Sequence, residues 1–164
     1  MYPDLTAKQR EYEITKKHGT VLIIGIGGKL SNGEPHDSRA PDYDDWTTHA
    51  PTKEAPNHCG LNGDLLIWYA PLQKAVEISS MGIRVDKSAL LKQLEITNHL
   101  DWQQFTYHNA IINNQLPLTI GGGIGQSRLC MLLLHKRHIG EVQASVWDEQ
   151  MIEDCRQKGI HILQ

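Results

Sequence analysis

Apolar positions recur along this chain with two different spacings, which predict a mixture of strands and helices. Apolar, β-branched runs at 20–26, 65–69 and 74–79 predict strands, and the Pro71-containing turn between the last two predicts a hairpin. The first run is apolar at nearly every position, which is typical of a strand buried on both faces. A short buried strand is also predicted at 142–147.

Capping residues mark the predicted helices. Thr6 and Gln9 have the spacing of a capping box, and Asp86 and Asp148 are candidate N-caps. The expected helices cover about 7–17, 87–97, 101–114, a stretch from 126 to about 135–140, and a last one ending at Gly159. The pattern predicts an α+β fold, an antiparallel sheet flanked by helices. At 164 residues, we expect a single domain over 1–164.

Composition limits the possible partners. A net charge of −3 and a pI near 6.3 give no bulk attraction to nucleic acid or to a membrane. Three widely spaced cysteines are typical of a reduced compartment, the N-terminal stretch is polar, and no apolar run approaches the ~18 residues of a membrane span. We therefore expect a cytoplasmic protein. Residues 30–60 are polar and rich in Pro, Gly and Asp, which predicts irregular structure.

The most unusual stretch is the glycine run before the fourth predicted helix, with Arg128 one turn into that helix. Gly121, Gly122, Gly123 and Gly125 lie within five residues. No Gly-Lys-Ser/Thr follows them and the G-x-G-x-x-G register fails, so neither common phosphate motif is present. Two interpretations remain: a tight strand-to-helix corner, or a flat floor against which a ligand lies.

A second stretch, 77–84, combines a carboxylate, two hydroxyls and an arginine. On a strand, Glu77 and Ser79 would share a face, and the break at Gly82 could turn Ser80 and Arg84 toward the same space. Carboxylate and hydroxyl oxygens suit Mg²⁺, and an arginine suits a substrate carboxylate. The alternative is a surface hairpin with a Glu77–Arg84 ion pair.

The acidic loop, residues 39–46, holds one arginine and three aspartates. Such a cluster could bind an ammonium group or tune a metal site, or it could be a solvated loop with a capping aspartate. The nine histidines do not form a metal-binding set. No serine, cysteine or lysine has the surroundings of an acyl-transfer nucleophile.

With these stretches in hand, the sequence resembles a known family. GGGIGQSRL resembles the third signature motif of the class II aminoacyl-tRNA synthetase core. More specifically, the chain is similar to ammonia-dependent asparagine synthetases (aspartate–ammonia ligases) in six runs: IGIGGKL at 24–30, RAPDYDDW at 39–46, GLNGDLL at 60–66, ISSMGIRVD at 78–86, PLTIGGGIGQSRL at 117–129 and HIGEVQASVW at 138–147. The resemblance implies a partial class II synthetase-like core.

The resemblance also implies a reaction and roles for residues. The family uses ATP and Mg²⁺ to activate L-aspartate as β-aspartyl-adenylate, and ammonia then displaces AMP to give L-asparagine. The implied catalytic residues are Glu77, Ser80 and Arg128, of which Glu77 and Ser80 would hold the metal. The implied substrate-binding residues are Arg39, Asp44, Ser79 and Arg84, and the nucleotide would lie on Gly121, Gly122, Gly123 and Gly125 beside Arg128.

The resemblance begins at Tyr2, midway through the family's chain, which implies that this is the C-terminal half. The family's N-terminal half carries the homodimer interface and an α-phosphate arginine, so we expect this chain alone to react slowly and a separate N-terminal chain to be a possible partner. The 47–59 loop is longer than the family's. A non-catalytic remnant that binds nucleotide, aspartate or a partner is the alternative function, and a transfer-RNA ligase is a third.

Overall fold

Residues 4–30 and 32–164 of the computed structural model form an antiparallel sheet with helices at its ends and on one side. Tyr2, where the family resemblance begins, lies outside these described residues. The strands are β1 (Thr20–Ile24), β2 (Asn62–Tyr69), β3 (Lys74–Ile83) and β4 (Ile120–Ile124). The helices are α1 (Ala7–His18), α2 (Lys87–Ile96), α3 (Thr106–Ile112), α4 (Gln126–Leu133) and α5 (Glu149–Gln157). Among the described helices, none combines the length and apolar character needed to cross a membrane.

The sheet follows sequence order, β1-β2-β3-β4, and every neighbouring pair is antiparallel. Residues directly opposite one another share a face, so the register divides the sheet into two faces of different character. The polar face carries Asp64 opposite Ser80, with Gly123 beyond, and Gly82 opposite Gly121. The apolar face carries Leu22, Ile24, Met81, Ile83, Ile120 and Ile124.

A β-bulge in β3 determines which face each side chain reaches. Leu65 pairs with Ser79 and Leu66 pairs with Glu77, so Ile78 is an extra residue without a partner. Adjacent residues Leu65 and Leu66 point to opposite faces, and their partners therefore do as well. The prediction that Glu77 and Ser79 share a face was wrong, because simple alternation assumes an unbroken ladder.

The main core lies between α2, α3 and the 3₁₀ turn Leu100–Gln104. Leu90 and Leu94 of α2 are fully buried and lie beside Val85 and Ala89, with Trp102, Ile111 and Ile112 packed against them. The predicted cap is confirmed: Asp86 accepts a hydrogen bond from the backbone N–H of Ala89 at 2.8 Å. Because only three residues separate β3 from α2, this core fixes the end of the sheet that carries Arg84.

Several sequence predictions are confirmed. The capping box at Thr6 and Gln9 is formed, the hairpin of β2 and β3 is present, and Asp148 caps α5. The segment between β1 and β2 contains only isolated bridges where it is described, as expected for irregular structure. The α+β class, with its antiparallel sheet, is also confirmed.

Other boundaries differ for physical reasons. Leu22 and Ile24 of β1 are exposed, so this strand is not buried on both faces. The helix expected at 101–114 is interrupted at Phe105, whose extended backbone separates the 3₁₀ turn from α3. α4 ends at Leu133, just before His135 adopts a positive φ of 52°. No strand forms at 142–147, where Val146 is 98% exposed, because this segment pairs with none of the described strands.

Helix α1 is tied to the irregular segment by a buried carboxylate. Glu11 is 8% exposed, and its carboxylate contacts Nε2 of His36 at 2.7 Å and Nζ of Lys8 at 3.2 Å. Burial opposes ionisation of this group, but the hydrogen bonds from His36 and Lys8 outweigh it and lower the pKa of Glu11. The same balance holds at Glu141. Burial raises its pKa, but hydrogen bonds from the backbone N–H groups of Arg137 and His138 outweigh burial and lower it.

These lowered pKa values predict acid sensitivity. A carboxylate whose pKa is depressed by folding stabilises the fold above its unfolded pKa, and this stabilisation is lost as the pH falls through the folded value. We expect the free energy of unfolding to decline from about pH 5 downward, and Glu11→Gln to remove part of that decline and about 1–2 kcal/mol at pH 7. Urea unfolding at several pH values measures both. Glu54→Gln, in an exposed loop, is the matched control, and an unchanged slope in Glu11→Gln would contradict the assignment.

Candidate active site

A concavity of about 380 Å³ opens on the polar face where β3, β4 and α4 meet. Strand β3 supplies Glu77 and Ser80, and Arg84 follows just beyond its end. The backbone N–H of Gly125 donates to the carbonyl of Ile78 at 2.8 Å, which anchors the start of α4 against β3. The lining residues are Tyr43, Asp44, Glu77, Ile78, Ser80, Arg84, Gly123, Ile124, Gly125 and Arg128.

Arg84 is held from two sides by the acidic loop. Its Nη1 forms an ion pair with Asp44, its Nη2 donates to the Tyr43 hydroxyl at 2.9 Å, and its guanidinium carbon lies 3.7 Å from the centre of the Tyr43 ring. Asp44 is buried, at 5% exposure, whereas Arg84 keeps 16% of its side chain exposed. A planar guanidinium that is held in place and lines the concavity is suited to binding a second carboxylate.

The acidic loop is itself held by Gln93 of α2. This side chain is fully buried, and its amide NH₂ donates to the carbonyls of Pro41 and Asp44 at 2.9 and 3.1 Å. Its amide oxygen accepts from the backbone N–H of Trp46 at 2.8 Å and from the Thr47 hydroxyl at 3.3 Å. All four hydrogen-bonding positions of the amide are therefore used on one loop.

Two glycines of the sheet leave room for the Arg84–Asp44 pair. A Cβ on Gly121 would lie 2.5 Å from Nη2 of Arg84, and a Cβ on Gly82 would lie 2.6 Å from Oδ1 of Asp44. Gly122 is crowded from the other side by Met81, at 2.9 Å. Gly123 differs, because no atom lies within 4 Å of its Cβ position. The glycine run therefore combines close packing with an open patch of floor.

Arg128 and Glu77 form the other wall. Nη1 of Arg128 donates to the carbonyl of Glu77 at 3.0 Å and contacts its carboxylate at 3.4 Å, and both side chains are nearly half exposed. The surface Glu77–Arg84 ion pair considered from the sequence does not form, because Arg84 pairs with Asp44 and Glu77 with Arg128. An exposed pair of this kind is worth little, so both groups remain free to bind ligands.

A second arginine–aspartate pair lies beside Ser80. Nη2 of Arg39 approaches Oδ2 of Asp64 at 2.5 Å, and Asp64 is 7% exposed. Within the described part of the chain, Nε of Arg39 and Oδ1 of Asp64 have no hydrogen-bond partner. Asp64 was not predicted as a site residue because it precedes the run at 65–69 that was predicted as a strand. A charged residue inside a buried strand was the available signal, since aspartate is depleted in strands.

Two sequence-predicted site residues, Ser79 and Gly122, lie on the apolar face and do not line this concavity. The bulge turns Ser79 to that face, where it lines a different cavity with Leu22 and Met81. Most of the other predicted site residues line the concavity: Glu77, Ser80, Arg84, Arg128, Asp44, Gly123 and Gly125. Two more lie next to it, namely Gly121, which is packed under Arg84, and Arg39.

Among residues 4–30 and 32–164, no cluster of three His, Cys, Asp or Glu side chains could hold a metal by protein ligands alone. The carboxylate of Glu77 and the hydroxyl of Ser80 share the concavity, whereas the Asp44 carboxylate that also lines it is paired with Arg84. This donor set fits Mg²⁺ that arrives with phosphate oxygens, because Mg²⁺ takes few protein ligands and completes its shell with water and phosphate.

The sequence of this chain is similar to those of aspartate–ammonia ligases. The family model described as aspartate-ammonia ligase matches residues 1–159. An aspartate–ammonia ligase of Pediococcus pentosaceus is 57% identical over 162 residues, covering 99% of this chain and 44% of the relative. One of Bacteroides fragilis is 54% identical over 163 residues, covering 99% of this chain and 46% of the relative. The chain thus spans less than half the length of these curated relatives.

Solved structures with a similar fold are class II aminoacyl-tRNA synthetases of Entamoeba histolytica. The asparaginyl enzyme aligns with a TM-score of 0.51 at 20% identity, covering 85% of this chain and 28% of that one. The aspartyl enzyme aligns with a TM-score of 0.51 at 20% identity, covering 87% and 26%. A further structure of the asparaginyl enzyme, in complex with asparaginyl-adenylate, has a TM-score of 0.50 at 19% identity, covering 85% and 28%. These similarities confirm the expected partial class II fold.

Proposed function

Because the chain belongs to the aspartate–ammonia ligase family, we propose that it carries part of the site that converts L-aspartate, ammonia and ATP into L-asparagine, AMP and pyrophosphate through β-aspartyl-adenylate. The observation that carries the proposal is Arg84, fixed by Asp44 and Tyr43 and set beside an open glycine floor. The proposal includes cytoplasmic location and a homodimer when the family's remaining part is present.

Arg84 would bind the side-chain carboxylate of aspartate. Its guanidinium is already oriented by Asp44 and Tyr43, so little conformational entropy is lost when a substrate carboxylate docks. Arg39 and Asp64 lie across Ser80 from it, and the unpaired Oδ1 of Asp64 offers an acceptor for an ammonium group. A carboxylate and an ammonium would thus each meet an opposite charge.

The nucleotide would lie on the open floor at Gly123, with Arg128 beside it. Arg128 is exposed and only loosely paired with Glu77, so it can move to a phosphate or stack on a base. The asparaginyl-tRNA synthetase of similar fold binds an acyl-adenylate, the class of compound proposed here. Glu77 and Ser80 are the candidate Mg²⁺ ligands, and a bound Mg²⁺ would neutralise phosphate charge. Ser79 would act only indirectly, from the opposite face.

The activity is tested with the chain supplemented by the part of the Pediococcus pentosaceus relative that lies outside the matched region. The mixture receives aspartate, ATP, Mg²⁺ and ¹⁵N-ammonium, and ¹⁵N-asparagine and AMP are measured. We expect both products in equal amounts, and much less from the chain alone. A stable complex that releases neither product would overturn the proposal.

Two neighbouring glycines provide a prediction that separates the two substrates. In that assay, Gly121→Ala is expected to raise KM for aspartate roughly tenfold or more, since the new methyl displaces Arg84. Gly123→Ala adds a methyl to open floor and is expected to raise KM for ATP while leaving that for aspartate unchanged. Steady-state kinetics with each substrate varied measures both, and identical effects of the two variants would contradict the proposed layout.

A further inference from the structure

A buried histidine of α3 contacts the acidic loop beside the candidate active site. His108 keeps 7% of its side chain exposed, and its Nε2 donates to Oδ2 of Asp42 at 3.0 Å. Three aromatic rings, those of Trp102, Phe105 and Tyr107, lie edge-on or tilted against the imidazole, with ring centroids 5.6 to 5.8 Å away. This packing holds the imidazole in one orientation, with its Nε2 edge toward the loop.

The hydrogen bond between these two side chains is their one polar tie in the described part of the chain. A carboxylate has only acceptors, so Nε2 of His108 must be the donor. Nδ1 of the same ring has no hydrogen-bond partner among the described residues, and the Asp42 carboxylate accepts no second hydrogen bond there. Asp42 keeps 26% of its side chain exposed. If His108 were replaced, the Asp42 carboxylate would therefore be free to turn.

The Asp42 carboxylate lies near Arg84, although no ion pair joins these two residues. Asp42 directly precedes Tyr43, whose ring lies against the Arg84 guanidinium. Both charges act on the Tyr107 hydroxyl: partial burial raises the pKa of Tyr107, the Asp42 carboxylate raises it further, and the Arg84 guanidinium lowers it. Because exposed charges are largely screened beyond about 10 Å, both groups lie within that range of this hydroxyl.

We propose that His108 is a positioning residue for substrate binding: it holds the Asp42 carboxylate and so keeps it from occupying the Arg84 guanidinium, which stays available to the carboxylate of an amino-acid substrate. Asp42 carries the same functional group as the proposed substrate, so a freed Asp42 would be an intramolecular competitor at high effective concentration. Gln93 binds backbone carbonyls of the same loop and leaves the Asp42 side chain untouched, so this role falls to His108.

The inference rests on the proposed function for the identity of the substrate, and its kinetic test is a double-mutant cycle in the supplemented assay. If a freed Asp42 occupies Arg84 about nine-tenths of the time, His108→Phe raises KM for aspartate roughly tenfold, because only the remaining fraction can bind substrate. The value of kcat should stay within about twofold of the parent, since only binding is affected. Asp42→Asn alone should change little, and adding it to His108→Phe should restore KM, because a neutral amide does not compete for a guanidinium.

Conservative variants separate the hydrogen bond from the packing of the ring. His108→Gln places an amide N–H near the position of Nε2 and should keep the parental KM for aspartate. His108→Asn is one methylene shorter and cannot reach Asp42, so it should behave as His108→Phe does. It also replaces His108→Phe in the cycle if the phenylalanine disturbs folding. His161→Phe, at an exposed position after α5, is the matched control and should be parental.

The contact between Asp42 and Arg84 is also measured on this chain without any reaction. In a chain labelled with ¹⁵N-arginine, the Nε–Hε signal of Arg84 is identified by its loss in Arg84→Lys. We expect this signal to shift in His108→Phe, where Asp42 reaches the guanidinium, and to return to the parental position in the double variant.

Three results would overturn the inference. One is a parental KM and a parental Arg84 signal in His108→Phe. Another is a raised KM that Asp42→Asn does not relieve, which would show a merely structural loss. The third is a KM in His108→Gln as high as in His108→Phe. The proposed function fails separately: a parental mixture that forms no ¹⁵N-asparagine contradicts the reaction, while the Arg84 signal still decides whether His108 keeps Asp42 away.

Discussion

Arg84→Met is expected to lower the free energy of unfolding by about 3 kcal/mol, whereas Arg128→Met changes it by less than about 1 kcal/mol. The same residue type is removed in both variants. Asp44, the partner of Arg84, is 5% exposed and is left as an uncompensated buried charge. Glu77, the partner of Arg128, is 42% exposed at its side chain and returns to water at little cost.

Urea unfolding at pH 7 measures both values, and a double-mutant cycle with Asp44→Asn separates the pair from its surroundings. The double variant is expected to recover part of the loss, because the buried carboxylate is gone. In the supplemented assay, both arginine variants should lose at least about 100-fold in asparagine formation. Equal destabilisation by the two substitutions would show that Arg84 is not the buried anchor described above.

Gln93→Leu is expected to cost about 3–5 kcal/mol, since up to four buried polar groups of the acidic loop each lose a partner at about 1–3 kcal/mol. Leucine and glutamine are close in volume, so lost hydrogen bonds rather than lost volume dominate. The loop carrying Asp44 should then loosen. Hydrogen exchange at the backbone of Asp45 and Trp46 is expected to accelerate before global unfolding.

Gln150→Leu, at an exposed position of α5, is the matched control and should change stability by less than about 0.5 kcal/mol. Unfolding curves and exchange rates are compared for the two variants. If Gln93→Leu leaves exchange in 41–47 at the parental rate, the loop is held by other contacts and Gln93 does not position Asp44.

Local signals in the sequence were enough for much of the fold. Thr6, Asp86 and Asp148 predicted helix starts because capping depends on a few adjacent residues. The predicted strand at 142–147 was wrong, because an apolar run becomes a strand only where it lies beside an edge that accepts its hydrogen bonds. Its apolar residues do not reveal whether the fold brings the segment to such an edge.

For the candidate site too, the residues with a local signal were predicted and those that depend on the tertiary fold were missed. Glu77, Ser80 and Arg84 were predicted to lie together because their chemistry is concentrated in one stretch, and they do line one concavity. The bulge at Ile78, which sends Ser79 to the other face, depends on the partner strand and has no signature in 77–84. Asp64 and Gln93 were missed for a related reason: each acts on a residue more than 20 positions away, and pairing at that range is set by the tertiary fold.

The order of the strands also has a consequence for how the molecule acquires its shape. β2 and β3 are joined by one short turn, whereas β1 and β4 each reach the hairpin only after a long stretch of intervening chain. Closing a long loop costs more entropy than closing a short one, so the β2–β3 hairpin is expected to form first and to be the nucleus. Asp64, Glu77 and Ser80 would then be in register early in folding. The glycine floor on β4 would arrive last and complete the site.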